Sequence, residues 1–195
     1  MSINVRLFVA VQLKKDIQDA ITSAIQKASL IDAPVKWLEP GNLHLTLYFL
    51  GDVPETRVAE VGEGLASASR SVGPFEMQLG GLGGFPNAKK PRVLFTPVTQ
   101  GHESLRDLAR AIAKELNGIG AKKEDREFHA HVTLGRAKGF KGTKGLVAVL
   151  EPAIPMDMGK MKVEGFALIE SVLTTTGPLY RVIQEFKLKS PKEGN

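Results

Sequence analysis

The chain has 195 residues, of which 43% are hydrophobic and 24% charged, a balance typical of a globular protein with one substantial core. It contains no cysteine, which excludes disulfides and thiolate metal sites, and no apolar run approaches the roughly 18 residues that span a bilayer. The net charge of +5 favours an anionic partner such as a nucleic acid, although a solvated surface remains the more common explanation of any single basic cluster. The N-terminus has no signal-peptide pattern, so we expect a cytoplasmic protein.

The first half of the chain has the pattern of a strand, a helix and a second strand. Residues 6–11 predict the first strand, and an apolar stripe over residues 17–28 has helical spacing. The run over residues 42–50 predicts the second strand, which contains His44 and Thr46. Side chains two positions apart on a strand point to the same face, so this strand presents an imidazole beside a hydroxyl.

A helix, a short strand and a loop are predicted to connect the two halves. Apolar residues recur at helical spacing within residues 54–70, and residues 75–79 alternate as a strand does. The segment 80–86, Gly-Gly-Leu-Gly-Gly-Phe-Pro, is predicted as a flexible connecting loop. It lacks the third glycine of a dinucleotide-binding fingerprint, so it predicts no nucleotide cofactor.

The second half repeats the order of the first. Residues 92–98 predict a strand, and the stripe over residues 105–116 predicts a helix that ends at Gly118. Residues 128–134 predict the next strand. Near the C-terminus, residues 162–172 and 180–188 predict two strands joined by a hairpin turn at 174–178, and residues 190–195 are expected to fray.

The pattern His-x-Thr occurs once in each half, as His44-Leu45-Thr46 and as His131-Val132-Thr133. Arg6 and His44 are 38 positions apart, and Arg92 and His131 are 39 apart. The near-equal spacing indicates an internal duplication, with half-repeats of roughly 1–86 and 87–190 inside a single domain of 195 residues. Duplicated units tend to pack about a pseudo-two-fold axis, so we expect the two motifs to face each other.

Two imidazoles and two hydroxyls that face each other suit the cleavage of a phosphodiester. Opening a 2′,3′-cyclic phosphate with water requires a base on the attacking side of phosphorus and an acid on the departing side. Histidine can serve as either near neutral pH, and threonine hydroxyls can stabilise the charge on the other phosphate oxygens. The scheme requires no metal and no cofactor, and the sequence has no clustered set of metal ligands.

Two further histidines are interpreted separately. His129 shares the predicted face of His131, and we interpret it as a cleft-wall residue that adds positive charge rather than as half of a metal-binding pair. His102 begins a predicted helix and is expected at the surface.

The chain resembles the two-histidine (2H) phosphoesterase superfamily and, within it, the RNA 2′,3′-cyclic phosphodiesterases, also called 2′-5′ RNA ligase-like proteins. The resemblance extends over nearly the whole chain and rests on four segments: residues 6–10, 42–51, 81–86 and 131–136. It implies an α+β fold of two pseudo-symmetric lobes, each an antiparallel sheet with outer helices, around a central cleft that the two motifs line.

The resemblance also implies roles for single residues. His44 would donate a proton to the leaving 3′ oxygen, and His131 would accept the proton of the attacking water, which leaves a terminal 2′-phosphate. Thr46 and Thr133 would hold the phosphate. Arg136 matches a family arginine near the phosphate, but it lies an odd number of positions beyond His131 and would point away from the cleft on a regular strand. Either the strand ends before Arg136, or its role differs.

The leading hypothesis is metal-independent hydrolysis of RNA or oligonucleotide ends, tRNA fragments among them, that carry a 2′,3′-cyclic phosphate. We expect a monomer, because both halves of the site lie in one chain. Reversible 2′-5′ ligation of tRNA halves, a phosphodiesterase for other small substrates and a non-catalytic RNA-binding module with the same cleft remain open. RNA-binding sheets usually display aromatic platforms, so an aromatic content of 6% favours an enzyme.

Overall fold

The computed structural model describes residues 3–30, 33–117, 119, 128–138, 156–175 and 177–189. This part of the chain contains ten strands and three α-helices. The helices are α1 (Lys15–Ser29), α2 (Val58–Ala68) and α3 (His102–Glu115). The strands are β1 (Asn4–Gln12), β2 (Val35–Trp37), β3 (His44–Pro54), β4 (Phe75–Gly80), β5 (Gly83–Phe85), β6 (Val93–Gln100), β7 (His131–Ala137), β8 (Asp157–Val163), β9 (Gly165–Leu173) and β10 (Pro178–Lys187).

The helices form where the sequence places apolar residues on one face. In α1 the buried positions are three or four residues apart, and in α3 they follow the same spacing: Ile17, Ile21, Ala24, Ile25 and Ala28, then Leu105, Leu108, Ala109 and Ile112. Both predicted stripes are therefore confirmed. The helix predicted within residues 54–70 is also present, as a short 3₁₀ turn over Glu55–Arg57 that continues into α2.

The sheet is symmetric about its two central strands. The strand order is β10-β9-β1-β3-β7-β6-β4-β8, and every neighbouring pair is antiparallel. We call the first four strands lobe 1 and the last four lobe 2, with β3 and β7 at their junction. Two short strands lie off this path, since β2 pairs with β7 and β5 pairs with β6. The predicted α+β fold with two antiparallel lobes is confirmed.

Each lobe contains strands from both halves of the sequence. β4 comes from the first half but pairs with β6 in lobe 2, whereas β9 comes from the second half but pairs with β1 in lobe 1. The chain crosses between the lobes at Glu164, where β8 ends and β9 begins. The single strand predicted over residues 162–172 is therefore wrong: its two parts pair with different partners in different lobes.

The structure also bears on three predictions about loops and strand ends. The loop predicted over residues 80–86 is partly a strand, because β5 pairs with β6. The strand predicted to begin at residue 128 begins only at His131 and continues to Ala137. The hairpin between β9 and β10 is confirmed, with Leu173 opposite Pro178. The helix end predicted at Gly118 and the tail 190–195 lie outside the described residues.

The sheet has a main core on one face and a smaller apolar cluster on the other. In β1, alternate residues Leu7, Val9 and Val11 join the main core together with the helices. The residues between them, Phe8 and Ala10, form the smaller cluster with Ala167 and Ile169 of β9, and Tyr180 packs against it. We call this second face the cleft face. None of the described helices has the length and apolarity required to cross a membrane.

Candidate active site

The two His-x-Thr motifs lie on neighbouring strands at the centre of the sheet. Their middle residues, Leu45 of β3 and Val132 of β7, pair with each other and are both fully buried in the main core. Continuing this antiparallel register by one residue in each direction places each histidine opposite the threonine of the other motif. Because side chains alternate along a strand, all four polar side chains share the cleft face.

The register makes the two histidines diagonal neighbours across the β3–β7 pair. Diagonal neighbours in antiparallel sheets are typically about 7 to 8 Å apart, which leaves room for one phosphate between the rings. The two rings are close enough that a charge on His131 lowers the pKa of His44. The structure thus brings together His44, Thr46, His131 and Thr133, as the sequence predicts.

Each imidazole is oriented by a main-chain carbonyl two residues before it. Nδ1 of His44 lies 2.8 Å from the carbonyl oxygen of Asn42, and Nδ1 of His131 lies 2.7 Å from that of His129. A carbonyl oxygen can only accept, so Nδ1 carries the hydrogen in both rings. In a neutral ring, Nε2 is then the nitrogen with a free lone pair. The duplicated backbone therefore presents two equivalent Nε2 atoms.

Two aromatic rings pack against each imidazole. The His44 ring lies 4.9 Å from Phe8 and 5.2 Å from Tyr180, and it meets Tyr180 edge to face. The His131 ring lies 5.1 Å from Phe85 and 5.2 Å from Phe95, both edge to face. The sequence does not predict these four rings as site residues, because they come from four strands that only the tertiary pairing brings beside the motifs.

Both imidazoles have a lowered pKa. Burial is the largest cause for His44, opposed by the hydrogen bond to the Asn42 carbonyl and reinforced by His131. Burial also lowers the pKa of His131, the His129 carbonyl opposes the shift, and the charges of His129 and Arg136 add to it. Each ring therefore loses its proton below the ordinary pKa of 6.5. In the unliganded cleft at neutral pH, both rings are mainly neutral.

The threonine hydroxyls are available to a ligand. Thr46 and Thr133 are partly exposed on the cleft face, and neither hydroxyl has a hydrogen-bond partner among the described residues. Each can therefore donate to a phosphate oxygen held between the histidines. Threonine is also β-branched, and β-branched residues favour strands, so each Thr stabilises its strand as well.

A β-bulge determines where Arg136 points. In β7, Gly135 pairs with Leu94 and Thr133 pairs with Phe95, so Leu134 is an extra residue with no partner on β6. A bulge of this kind shifts the alternation of side chains by one position. Arg136 therefore returns to the face of His131, and its charge acts on both His131 and Tyr180. The prediction that a strand through Arg136 would direct it away from the cleft is wrong, because that strand is not regular.

The first half contains the same bulge at the equivalent position. In β3, Tyr48 pairs with Val9 and Thr46 pairs with Ala10, so Leu47 is the extra residue. The residue that follows at the position equivalent to Arg136 is Phe49, which is 51% exposed and packs 5.9 Å from Phe8. The two halves thus share the backbone irregularity and differ in the side chain, a phenyl ring in one and a guanidinium in the other.

His129 and His102 both lie near His131. His129 precedes β7, is exposed, and has its ring 6.3 Å from that of Phe85, which agrees with its interpretation as a cleft-wall residue. His102 is the first residue of α3 and is exposed, as expected. In the described part of the chain, no three histidine or carboxylate side chains are grouped as metal ligands.

Comparisons with known proteins show what the chain is similar to in sequence and fold. The family model for LigT-like phosphoesterases matches the chain twice, over residues 11–95 and 96–180. The chain is 38% identical over 187 residues to the RNA 2′,3′-cyclic phosphodiesterase of Aquifex aeolicus, covering 94% of this chain and 97% of that protein. The crystal structure of TT0787 of Thermus thermophilus superposes with a TM-score of 0.79 at 32% identity and covers 95% of this chain and 98% of that one. The structure of E. coli LigT complexed with 3′-AMP has the same fold, with a TM-score of 0.78 at 24% identity over 96% of this chain and 100% of that one.

Proposed function

The chain belongs to the family of LigT-like phosphoesterases, and we propose that it hydrolyses RNA ends bearing a 2′,3′-cyclic phosphate to terminal 2′-phosphates without a metal ion. The relatives at 30 to 38% identity over most of the chain are RNA 2′,3′-cyclic phosphodiesterases. The observation that carries the proposal is the pairing of Leu45 with Val132, since it alone sets both His-x-Thr motifs on one face of two neighbouring strands.

The two imidazoles act on opposite sides of one phosphorus atom. Nε2 of His131 accepts a proton from water as the water oxygen bonds to phosphorus. Nε2 of His44 donates its proton to the ribose 3′ oxygen as the bond from that oxygen to phosphorus breaks. The product carries a 2′-phosphate and a free 3′ hydroxyl, and the two rings exchange their protonation states with solvent before the next turnover.

The surroundings of the two rings support this division of roles. Burial is the largest cause that lowers the pKa of His131, and the neighbouring Arg136 adds to it, which favours the neutral form that a base requires. His44 must instead be protonated when substrate is bound. The phosphate of the substrate is anionic, and a negative charge beside a buried imidazole raises its pKa. Binding therefore supplies the acid that the unliganded cleft lacks.

Thr46, Thr133 and Arg136 hold the phosphate in this scheme. The hydroxyls donate to nonbridging oxygens that gain charge in the transition state. The guanidinium can donate two parallel hydrogen bonds to one phosphate, which fixes its orientation as well as its charge. No carboxylate pairs with Arg136 in the described ranges of the chain, so its guanidinium is available to the phosphate.

A product assay tests the proposal. The substrate is an oligoribonucleotide ending in a 2′,3′-cyclic phosphate, incubated with excess EDTA, and the position of the phosphate in the product is read by resistance to a 3′-phosphatase. We expect a 2′-phosphate from the wild type and no product from His44→Ala or His131→Ala. Binding without turnover by the wild type would instead indicate an RNA-binding module.

Ligation through a 2′-5′ bond is a second candidate, because it is the same chemistry with an alcohol in place of water. A cavity of about 280 Å³ beside His131 favours it, since the space on the water side of phosphorus is much larger than the roughly 30 Å³ of one water molecule. Incubation with an RNA 5′-hydroxyl end separates the two, since ligation yields a longer strand. We further propose that the protein acts as a cytoplasmic monomer and that tRNA fragments are among its substrates.

A further inference from the structure

A cavity lined in part by Arg106 and two further histidines lies next to His131 and extends away from the other motif. Its lining includes His131 and Pro97, which pair with each other across β7 and β6, and it reaches His102 and Arg106 on the first turns of α3. Neither residue of the His44 and Thr46 pair is part of that lining. The cavity therefore lies on the water side of the phosphorus position described above.

The walls of this cavity combine phenyl rings with nitrogen donors. Phe85 and Phe95 stack 4.2 Å apart, and Phe128 adds a third ring. His102, Arg106 and His129 supply nitrogen donors, and none of the described lining residues is a carboxylate. Arg106 is half-buried and has no ion-pair partner within the described ranges, although the neighbouring arginine on the same helix, Arg110, lies 3.6 Å from Asp107.

A lining that combines phenyl rings with an arginine suits a flat organic group that carries a phosphate. A water molecule needs none of these features. Nucleobases stack on aromatic side chains, and arginine binds phosphate through paired hydrogen bonds. In the proposed mechanism the nucleoside of a cyclic-phosphate end lies with the leaving oxygen on the His44 side, which leaves this cavity for another group.

We propose that His102, Arg106 and His129 form a second anion-binding subsite, with Phe85, Phe95 and Phe128 as its wall, for a nucleoside 3′-phosphate on the acceptor side of the reacting phosphorus. This inference rests on the proposed function, because that function defines the acceptor side. The occupant is the nucleoside bonded to phosphorus through its 5′ oxygen, and its own 3′-phosphate contacts Arg106.

Two dinucleotides test the subsite by binding alone. Both contain two adenosines joined by a 2′-5′ phosphodiester, and the first adenosine lacks its 3′ hydroxyl, so that the bridge cannot be opened by internal attack. Only one of them carries a 3′-phosphate on the second adenosine. Calorimetry at low ionic strength gives the dissociation constant of each for the wild type, Arg106→Gln and the matched control Arg110→Gln.

We expect the additional phosphate to tighten binding about tenfold in the wild type and in Arg110→Gln, and to make no difference in Arg106→Gln. His102→Asn should reduce the difference partially. Equal affinities in the wild type, or a difference that survives Arg106→Gln, would overturn the subsite. Hydrolysis of adenosine 2′,3′-cyclic phosphate, measured on the same preparations, tests the proposed function independently, because the binding comparison requires no turnover.

Discussion

The surroundings of His44 and His131 share a backbone and differ in chemistry. Both histidines begin a strand, both bond through Nδ1 to the carbonyl two residues earlier, and both are followed by a bulge at the third residue. After the bulge, one strand presents Phe49 and the other Arg136. The duplication thus supplies two equivalent imidazoles, and the side chains that differ place a phenyl ring after one bulge and a guanidinium after the other.

The proposed function assigns opposite tasks to the two rings, and this difference supports that assignment. Burial and the charge of Arg136 lower the pKa of His131, which favours the neutral form that the proposed base requires. The ring at the apolar cluster of Phe8, Phe49 and Tyr180 has no cationic neighbour among the causes of its shift except His131. In the proposed mechanism, the anionic phosphate of the substrate raises the pKa of His44, and the ring then takes up a proton from solvent.

Removing either imidazole should have the largest effect. We expect His44→Ala and His131→Ala each to lower kcat for cyclic phosphate hydrolysis about a thousandfold, since proton transfer by a positioned side chain contributes about 10²- to 10⁴-fold. The double variant should be little slower than either single variant, because the two rings act as a unit. The midpoint temperature of thermal unfolding should stay close to that of the wild type. Full activity in either single variant would contradict a role for that imidazole.

Substituting the two residues that differ, Arg136 and Phe49, should have the second largest effect. We expect Arg136→Gln to lower kcat/KM about tenfold to a hundredfold, because a charged donor to the phosphate is lost. The pKa of His131 should also rise, so the acid limb of the pH profile moves to higher pH. Phe49→Leu removes no charge and should leave that limb in place. Equal shifts of the limb in both variants would contradict the assigned asymmetry.

The threonines should have smaller and equal effects. Thr46→Val and Thr133→Val keep the strand-favouring shape and remove one hydroxyl donor each, so we expect kcat/KM to fall about fivefold to tenfold in each case. Thr99→Val is the control, since Thr99 lies at the exposed end of β6 and its hydroxyl bonds to the Gln78 carbonyl. A loss confined to one of the two motif threonines would show that the phosphate sits off the symmetry axis.

The last prediction concerns the wild type and the pH at which its kcat/KM is highest. With the proposed roles, kcat/KM falls when the pH drops below the pKa of His131, because the base is then protonated. It also falls when the pH rises above the pKa of His44, because the acid has then lost its proton. Both pKa values are lowered from 6.5, so the maximum of the profile should lie below pH 6.5. A maximum above pH 7 would show that burial does not control the two rings.

The sequence predicts the parts of this site that are local. A His and a Thr two positions apart on a strand, and an apolar stripe on α1 or α3, follow from the periods of strand and helix. The bulge at Leu134 depends on which residue of β6 faces which residue of β7, and no local pattern records that. Strand periodicity therefore assigns Arg136 to the wrong face, and only the family resemblance singles it out as a candidate site residue.

The exchange of strands between the lobes also cannot be predicted from the local sequence pattern. Residues 162–172 alternate well enough to predict one strand, but the chain turns at Glu164, where the Leu188 amide donates to its carbonyl. A Cβ at Gly165 would lie 2.5 Å from the carbonyl oxygen of Phe186, so this corner requires glycine for a reason that appears only in the packed structure. The rings of Phe8 and Phe95 reach the histidines through such long-range pairing.

The assignment of acid and base is tested most directly by a substrate whose leaving group needs no proton. In a 2′,3′-cyclic phosphorothiolate, sulfur replaces the 3′ oxygen, and a thiolate can depart without protonation. We predict that His44→Ala hydrolyses this substrate within about tenfold of the wild type, since only the proton donor is missing, while His131→Ala remains about a thousandfold slower. Equal defects in the two variants, or recovery of His131→Ala instead, would contradict the account.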